Sequence, residues 1–200
     1  IAYYTQALTF DPGNERLQQS LMLTLISAGR FDEAVAKNRR AQELDPLRLS
    51  LVLREGIILY LARRYDEAII KFQNVLELQP EYAQAREFLG LAYEAKGMYQ
   101  QAMDEYERAL RSDQRIINCL IFRGYALAKL GRTSEARIVL NDLQNTKDYV
   151  SPTVLAVLYI GLEDSDGAIT ALENGYAARD LQLQYLKVVP HYDGLRSDPR

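Results

Sequence analysis

The stretch GRFDEAVAKNRRAQELDP, residues 29 to 46, returns as RRYDEAIIKFQNVLELQP at 63 to 80. More worn copies follow as GMYQQAMDEYERALRSDQ at 97 to 114 and GRTSEARIVLNDLQNTKD at 131 to 148. Several residue series keep one phase. Ala34, Ala68, Ala102, Ala136 and Ala168 are separated by 34, 34, 34 and 32 residues, and Gly56, Gly90 and Gly124 by 34. The turn position repeats as Gly29, Arg63, Gly97 and Gly131, and Pro12, Pro46 and Pro80 keep the same period. A fixed period of this length builds one structural unit many times over and stacks the copies.

Within a copy the pattern is helical. Leu89 and Tyr93 lie four apart with Gly90 beside them, and Ala102, Tyr106 and Ala109 fall at i, i+4 and i+7. The spacing predicts two helices of about 13 residues joined by a tight turn, with no competing strand pattern. Gly56, Gly90 and Gly124 are expected to oppose Ala68, Ala102 and Ala136 where paired helices cross closely. The prolines punctuate the units, because proline cannot occupy a helix interior.

These residues resemble the tetratricopeptide repeat. Residues 83 to 116 carry the pattern best, with Leu89, Gly90, Tyr93, Ala102, Tyr106 and Ala109. The other copies are 15 to 48, 49 to 82, 117 to 148 and, more loosely, 149 to 180. Residues 1 to 14 are the second helix of a truncated copy, with Tyr4, Ala7 and Pro12 in phase. Residues 181 to 200 form a capping helix and tail. Departures are Glu55 and Arg123 for the usual Leu, Asn38 for an aromatic, and Gln114 and Asp148 for Pro. The resemblance implies an all-α, right-handed superhelical solenoid of antiparallel helix pairs, its concave side lined by the first helix of each pair.

LVLREGIILYLA and NCLIFRGYALAKL, both first helices, are apolar on more than one stripe, so they need burial on a second side. In the register of the repeat, the groove positions are Gln19, Leu23, Ile26, Leu53, Ile57, Tyr60, Glu87, Phe88, Leu91, Ile121, Phe122 and Tyr125. Each serves either the groove or the core between copies. The family's carboxylate clamp maps to Gln19, Leu23, Arg54, Gln84 and Phe88. Only Arg54 is basic, so the expectation is a mostly apolar groove for an amphipathic helix or extended segment.

The stretch YLKVVPHYDGLRSDPR, with the forty residues around it, resembles the end of the repeat region in multidomain bacterial signalling proteins: winged-helix regulators, adenylate cyclases and Ser/Thr kinases. It implies an effector domain before residue 1. Leu181 to Val188 reads as a short closing helix over the last pair, ended by Pro190, with Asp198-Pro199 opening a further turn.

The remaining composition narrows the function class. Net charge is -3, which gives no general pull towards nucleic acid or anionic lipid. Lys37, Arg39 and Arg40 read as a solvated helix face. The single Cys119 cannot form a disulfide within the chain, and a free thiol fits a reducing compartment such as the cytoplasm; a periplasmic location fits if a leader or membrane segment lies outside this stretch. The single His191 reads as a surface or cap-packing residue. No nucleophile and base, metal-ligand set or phosphate loop is apparent, and Asp32-Glu33 and Asp66-Glu67 suit helix N-termini. The expectation is a non-enzymatic interaction scaffold without cofactor or metal. It would bind a protein or peptide partner and could self-associate through an open end. The second reading is the sensor domain of a larger signalling enzyme or regulator.

Overall fold

In a computed structural model the chain is all-helical, and the structure describes residues 1–11, 14–112 and 117–198. Pro12, Gln114 and Pro199, which the sequence pattern singles out, lie outside the described residues. Helix α1 (Ala2–Phe10) is followed by five antiparallel pairs: α2 (Glu15–Ser27) with α3 (Phe31–Leu44), α4 (Leu49–Leu61) with α5 (Tyr65–Leu78), α6 (Ala83–Ala95) with α7 (Tyr99–Ser112), α8 (Ile117–Lys129) with α9 (Thr133–Asn145), and α10 (Pro152–Gly161) with α11 (Ser165–Ala177). Two short 3-10 helices close the chain, α12 (Leu181–Tyr185) and α13 (Pro190–Leu195). No strand occurs among the described residues.

The turns follow from the backbone. Gly29, Gly97 and Gly131 have φ of 71°, 74° and 78°, and Arg63 takes the same left-handed conformation at 66°. Only glycine adopts this region without steric cost. The next turn, two residues early in the period, places Glu163 at φ 60°. The second helices α3, α5 and α9 start with an arginine paired to a glutamate three residues on, as in Arg64 with Glu67 (2.6 Å) and Arg132 with Glu135 (2.7 Å). The Glu sits where the helix dipole favours a negative charge.

The alanine series is wholly enclosed: Ala34, Ala68, Ala102, Ala136 and Ala168 are all at 0% exposure. At two of the repeated glycines the nearest atoms to a missing Cβ belong to a ring rather than to the crossing backbone. A Cβ on Gly56 would lie 2.4 Å from Phe72, and one on Gly90 would lie 2.3 Å from Tyr106. Gly56 and Gly90 are each a notch for an aromatic ring from the second helix of the same pair. In the earlier copy the ring position holds Asn38. It is buried, and its amide donates to the Leu51 carbonyl (2.8 Å) on the next pair. Glu55, another of the departures, is fully buried and sits among Arg39 (2.9 Å), Lys71 (3.2 Å) and the Gln42 amide (2.8 Å). These contacts hold its carboxyl below the usual range even though burial pushes it up. Both departures therefore replace apolar packing with a paired polar contact between copies.

Copies stack second helix to first: α3 on α4, α5 on α6, α7 on α8. The last pair differs, with α10 packed mainly on α8. Two glycines permit that approach. A Cβ on Gly124 would meet Leu158 at 2.8 Å, and one on Gly161 would meet Tyr125 at 2.8 Å.

Gly90→Ala tests the notch. Helix propensity alone would stabilise it by about 0.5–1 kcal/mol, but overpacking against Tyr106 costs roughly 1–3 kcal/mol. Urea denaturation should show a net loss in the wild-type background and a gain in a Tyr106→Ala background, where the ring is gone.

Candidate functional site: the inner face and its tail

The first helices α4, α6, α8 and α10 lie side by side and form the inner face. Of the residues expected to line it, Leu23, Arg54, Ile57, Glu87, Phe88 and Tyr125 are part-exposed, and Gln19 is exposed. Ile26, Leu53, Tyr60, Leu91, Ile121 and Phe122 are buried, Ile121 completely. The enclosed ones mainly fill the core between copies, and Phe122 packs against the Tyr106 ring (centroids 6.1 Å apart).

The inner face is not empty. Beyond Ala177 the chain turns at Arg179 (φ 54°). Helix α12 then lies against α10 and α11, closing the last pair. It ends earlier than the sequence suggested, at Tyr185, and Pro190 begins α13 rather than stopping a helix. Proline suits a first helical position, where its missing N–H would have no partner anyway. Helix α13 then crosses from α10 towards α6. The Tyr192 hydroxyl donates to the Thr153 carbonyl (2.7 Å). His191 Nε2 reaches Glu94 Oε2 on α6 (2.8 Å), a contact between residues 97 apart in sequence. Asp193 pairs with Arg63 (2.9 Å) in the turn after α4.

His191 occupies an aromatic slot. Its ring stacks on Phe122 (5.7 Å, 16°) and meets Tyr125 edge-on (4.8 Å, 87°). The side chains of His191 and Glu94 are 5% and 1% exposed, so the pair is shut off from water. Burial pushes the Glu94 carboxyl up, and the hydrogen bond and charge of His191 oppose this. Tyr60 and Tyr106 are driven well above the ordinary phenol range, first by burial and then by the Glu94 charge. Tyr106 is near enough to Glu94 to interact with it, but its hydroxyl is outside hydrogen-bonding geometry, as is Glu94 Oε1.

Glu94 was missed by the sequence reading, which in this copy named Glu87, Phe88 and Leu91. The period alone would have found it, since it falls one period after Tyr60 and two after Ile26. Its pairing with His191 has no such signal.

Elsewhere the inner face offers little chemistry. Cys119 is fully enclosed, and burial followed by the Glu87 charge raises its thiol far above the ordinary range. Such a thiol is a poor nucleophile. Among the described residues no three His, Cys, Asp or Glu side chains are grouped to hold a metal. No helix in the described residues is long and apolar enough to cross a membrane.

The sequence model of the tetratricopeptide repeat matches residues 21–75 and 53–115. The fold is a tetratricopeptide-repeat solenoid. A thermophilic repeat protein from Thermus thermophilus superposes with a TM-score of 0.67 at 21% identity, covering 88% of this chain and 98% of that one. PilF of Pseudomonas aeruginosa gives 0.59 at 22%, covering 92% and 85%. YrrB, described as a tetratricopeptide-repeat protein with an unusual peptide-binding site, gives 0.52 at 18%, covering 92% and 96%. No curated protein matches the sequence. Within this solenoid, the departures from the repeat pattern at Asn38 and Glu55 make buried polar contacts between copies.

Glu87 provides a pH test. Burial pushes its carboxyl from 4.5 up to about 7, with the Asn118 side chain pulling the other way. The folded chain therefore holds this proton through a window in which the unfolded chain has released it. The stability contributed by Glu87 is full below about 4.5 and is lost as pH rises through about 7. Thermal melts between those limits should show wild type losing stability relative to Glu87→Gln as pH rises. Parallel curves would refute the assignment.

Proposed function

We propose that this chain is a protein-interaction scaffold that receives a peptide or helix on its concave face. The observation that carries the reading is a column of side chains one period apart on successive first helices: Leu23, Ile57, Leu91 and Tyr125. Leu23, Ile57 and Tyr125 keep part of their surface in the open while Ile57 and Tyr125 also pack on the core. With Leu91 buried, the part-open apolar side chains at this register form a strip over Leu23 and Ile57 that resumes at Tyr125. Such a strip suits recognition through alternate apolar anchors of a bound segment. The peptide-binding site named for YrrB agrees with such a use of the fold. A sensor domain of a larger bacterial signalling protein would use the same surface, and the tail sequence is what favours that setting.

No catalytic role is proposed. The buried acid–base pair of Glu94 with His191 is closed to solvent and holds two segments together.

A peptide library presented to the full chain tests the groove. Leu23→Asp with Ile57→Asp should weaken the bound peptides at least tenfold, or about 1.4 kcal/mol, while far-UV circular dichroism stays helical. Binding unchanged in that folded double variant would rule out the concave strip as the docking surface.

A further inference from the structure

The tail of this chain is seated where the proposed ligand would lie, and its contacts specify a chemistry. Resting on the groove reading above, we infer that residues 189–195 are an intramolecular placeholder. The external ligand is a short partner segment carrying a histidine for Glu94 and, two residues on, a carboxylate for Arg63.

Three observations carry this. First, the inner face presents opposite charges at two fixed points, Glu94 at the end of α6 and Arg63 in the turn after α4, and the tail answers both with His191 and Asp193. Beside Glu94, on α8, Phe122 and Tyr125 form a slot whose walls accept a flat ring. Second, Glu94 lies at a column that holds Ile26 and Tyr60 in earlier copies. A buried carboxylate there is costly without a partner. Among the described residues, the basic group that meets it comes from the tail, as His191, and not from the stacked helices. Third, the tail satisfies the site incompletely. His191 Nδ1 is buried without a hydrogen-bond partner. A ligand ring in the same slot that also found a partner for its second nitrogen would bond better.

Val188, Tyr192 and the His191–Glu94 contact hold the tail in the core, but the rest of the hold on the tail is weaker. Its elements are 3-10 turns of five and six residues, a form with poorer hydrogen bonds than the α-helix. The Arg63–Asp193 pair is part-exposed, at 34% and 52%, and exposed pairs add little. A tethered segment competes at a high effective concentration, and the apparent affinity of any outside ligand falls in proportion to the fraction of open groove. The tail thus sets a threshold that a partner must exceed.

The test uses a fluorescein-labelled peptide of residues 186–198, LKVVPHYDGLRSD, titrated into the full chain by anisotropy. Wild type should bind it weakly. The full chain carrying His191→Ala with Asp193→Ala keeps Glu94 and Arg63 but has lost its own anchors, and should bind the peptide at least tenfold tighter. The peptide bearing the same two alanines should not compete. Adding Arg63→Gly to that host should weaken binding severalfold without lowering its melting temperature, because glycine fills the equivalent turns at 29, 97 and 131. Should the double variant fail to fold, Asp193→Ala alone serves, with about threefold tighter binding expected. Equal affinity for wild type and the anchor-free host would overturn the inference, as would indifference to the peptide's His and Asp. A wild-type dimer by light scattering that the two tail alanines abolish would assign the site to a second copy's tail and also overturn it. Library peptides that still depend on Leu23 and Ile57 would leave the groove reading standing on its own.

Discussion

A 34-residue helical hairpin has more apolar surface than its two helices can hide from water between them. That constraint governs this molecule. Each pair must find a neighbour, so second helices settle on the first helices that follow, and the hydrophobic core runs unbroken from Leu21 to Tyr192. Stability in such a stack is close to a sum of unit and nearest-neighbour terms. The notches at Gly56 and Gly90 show how a unit term is built. A helix position that would ordinarily disfavour glycine gives up about 0.5–1 kcal/mol of propensity, and the ring of Phe72 or Tyr106 gains full burial in return.

The same constraint explains the ends. A stack leaves its last hairpin with one face uncovered. Here α12 covers part of it, and α10 is drawn onto α8 through Gly124 and Gly161. The chain does not stop at the cap. It turns inward, and Val188 and Tyr192 join the core. The terminal segment therefore couples two tasks: closing the last pair and occupying the inner face.

Much of this was legible in the sequence, because periodicity is a local property repeated often enough to average out noise. The turn residues announced themselves, including Arg63, which the phase alone put in a glycine's place. The departures at Asn38 and Glu55 were also visible, and their meaning as polar joints between copies follows once neighbouring copies are set at their real spacing. The rings at Gly56 and Gly90 were not foreseen because sequence does not say whether a missing Cβ makes room for a backbone or for a ring. The contact of Glu94 with His191 was beyond reach for a different reason. It spans 97 residues and depends on the curvature of the whole stack, to which every copy contributes a small rotation.

That long contact also alters what the inner face is. Apolar grooves bind readily but discriminate weakly, since one methylene more or less changes affinity by only about 1–3 kcal/mol. A buried carboxylate changes this. Any segment that covers Glu94 without answering it leaves a buried carboxyl that is either charged without a partner, at a cost of several kcal/mol, or protonated. On the groove reading proposed above, a purely apolar segment would therefore be disfavoured at this one point and favoured around Leu23 and Ile57. Affinity and selectivity would then lie on different copies of the same repeat, with the tail over the selective one.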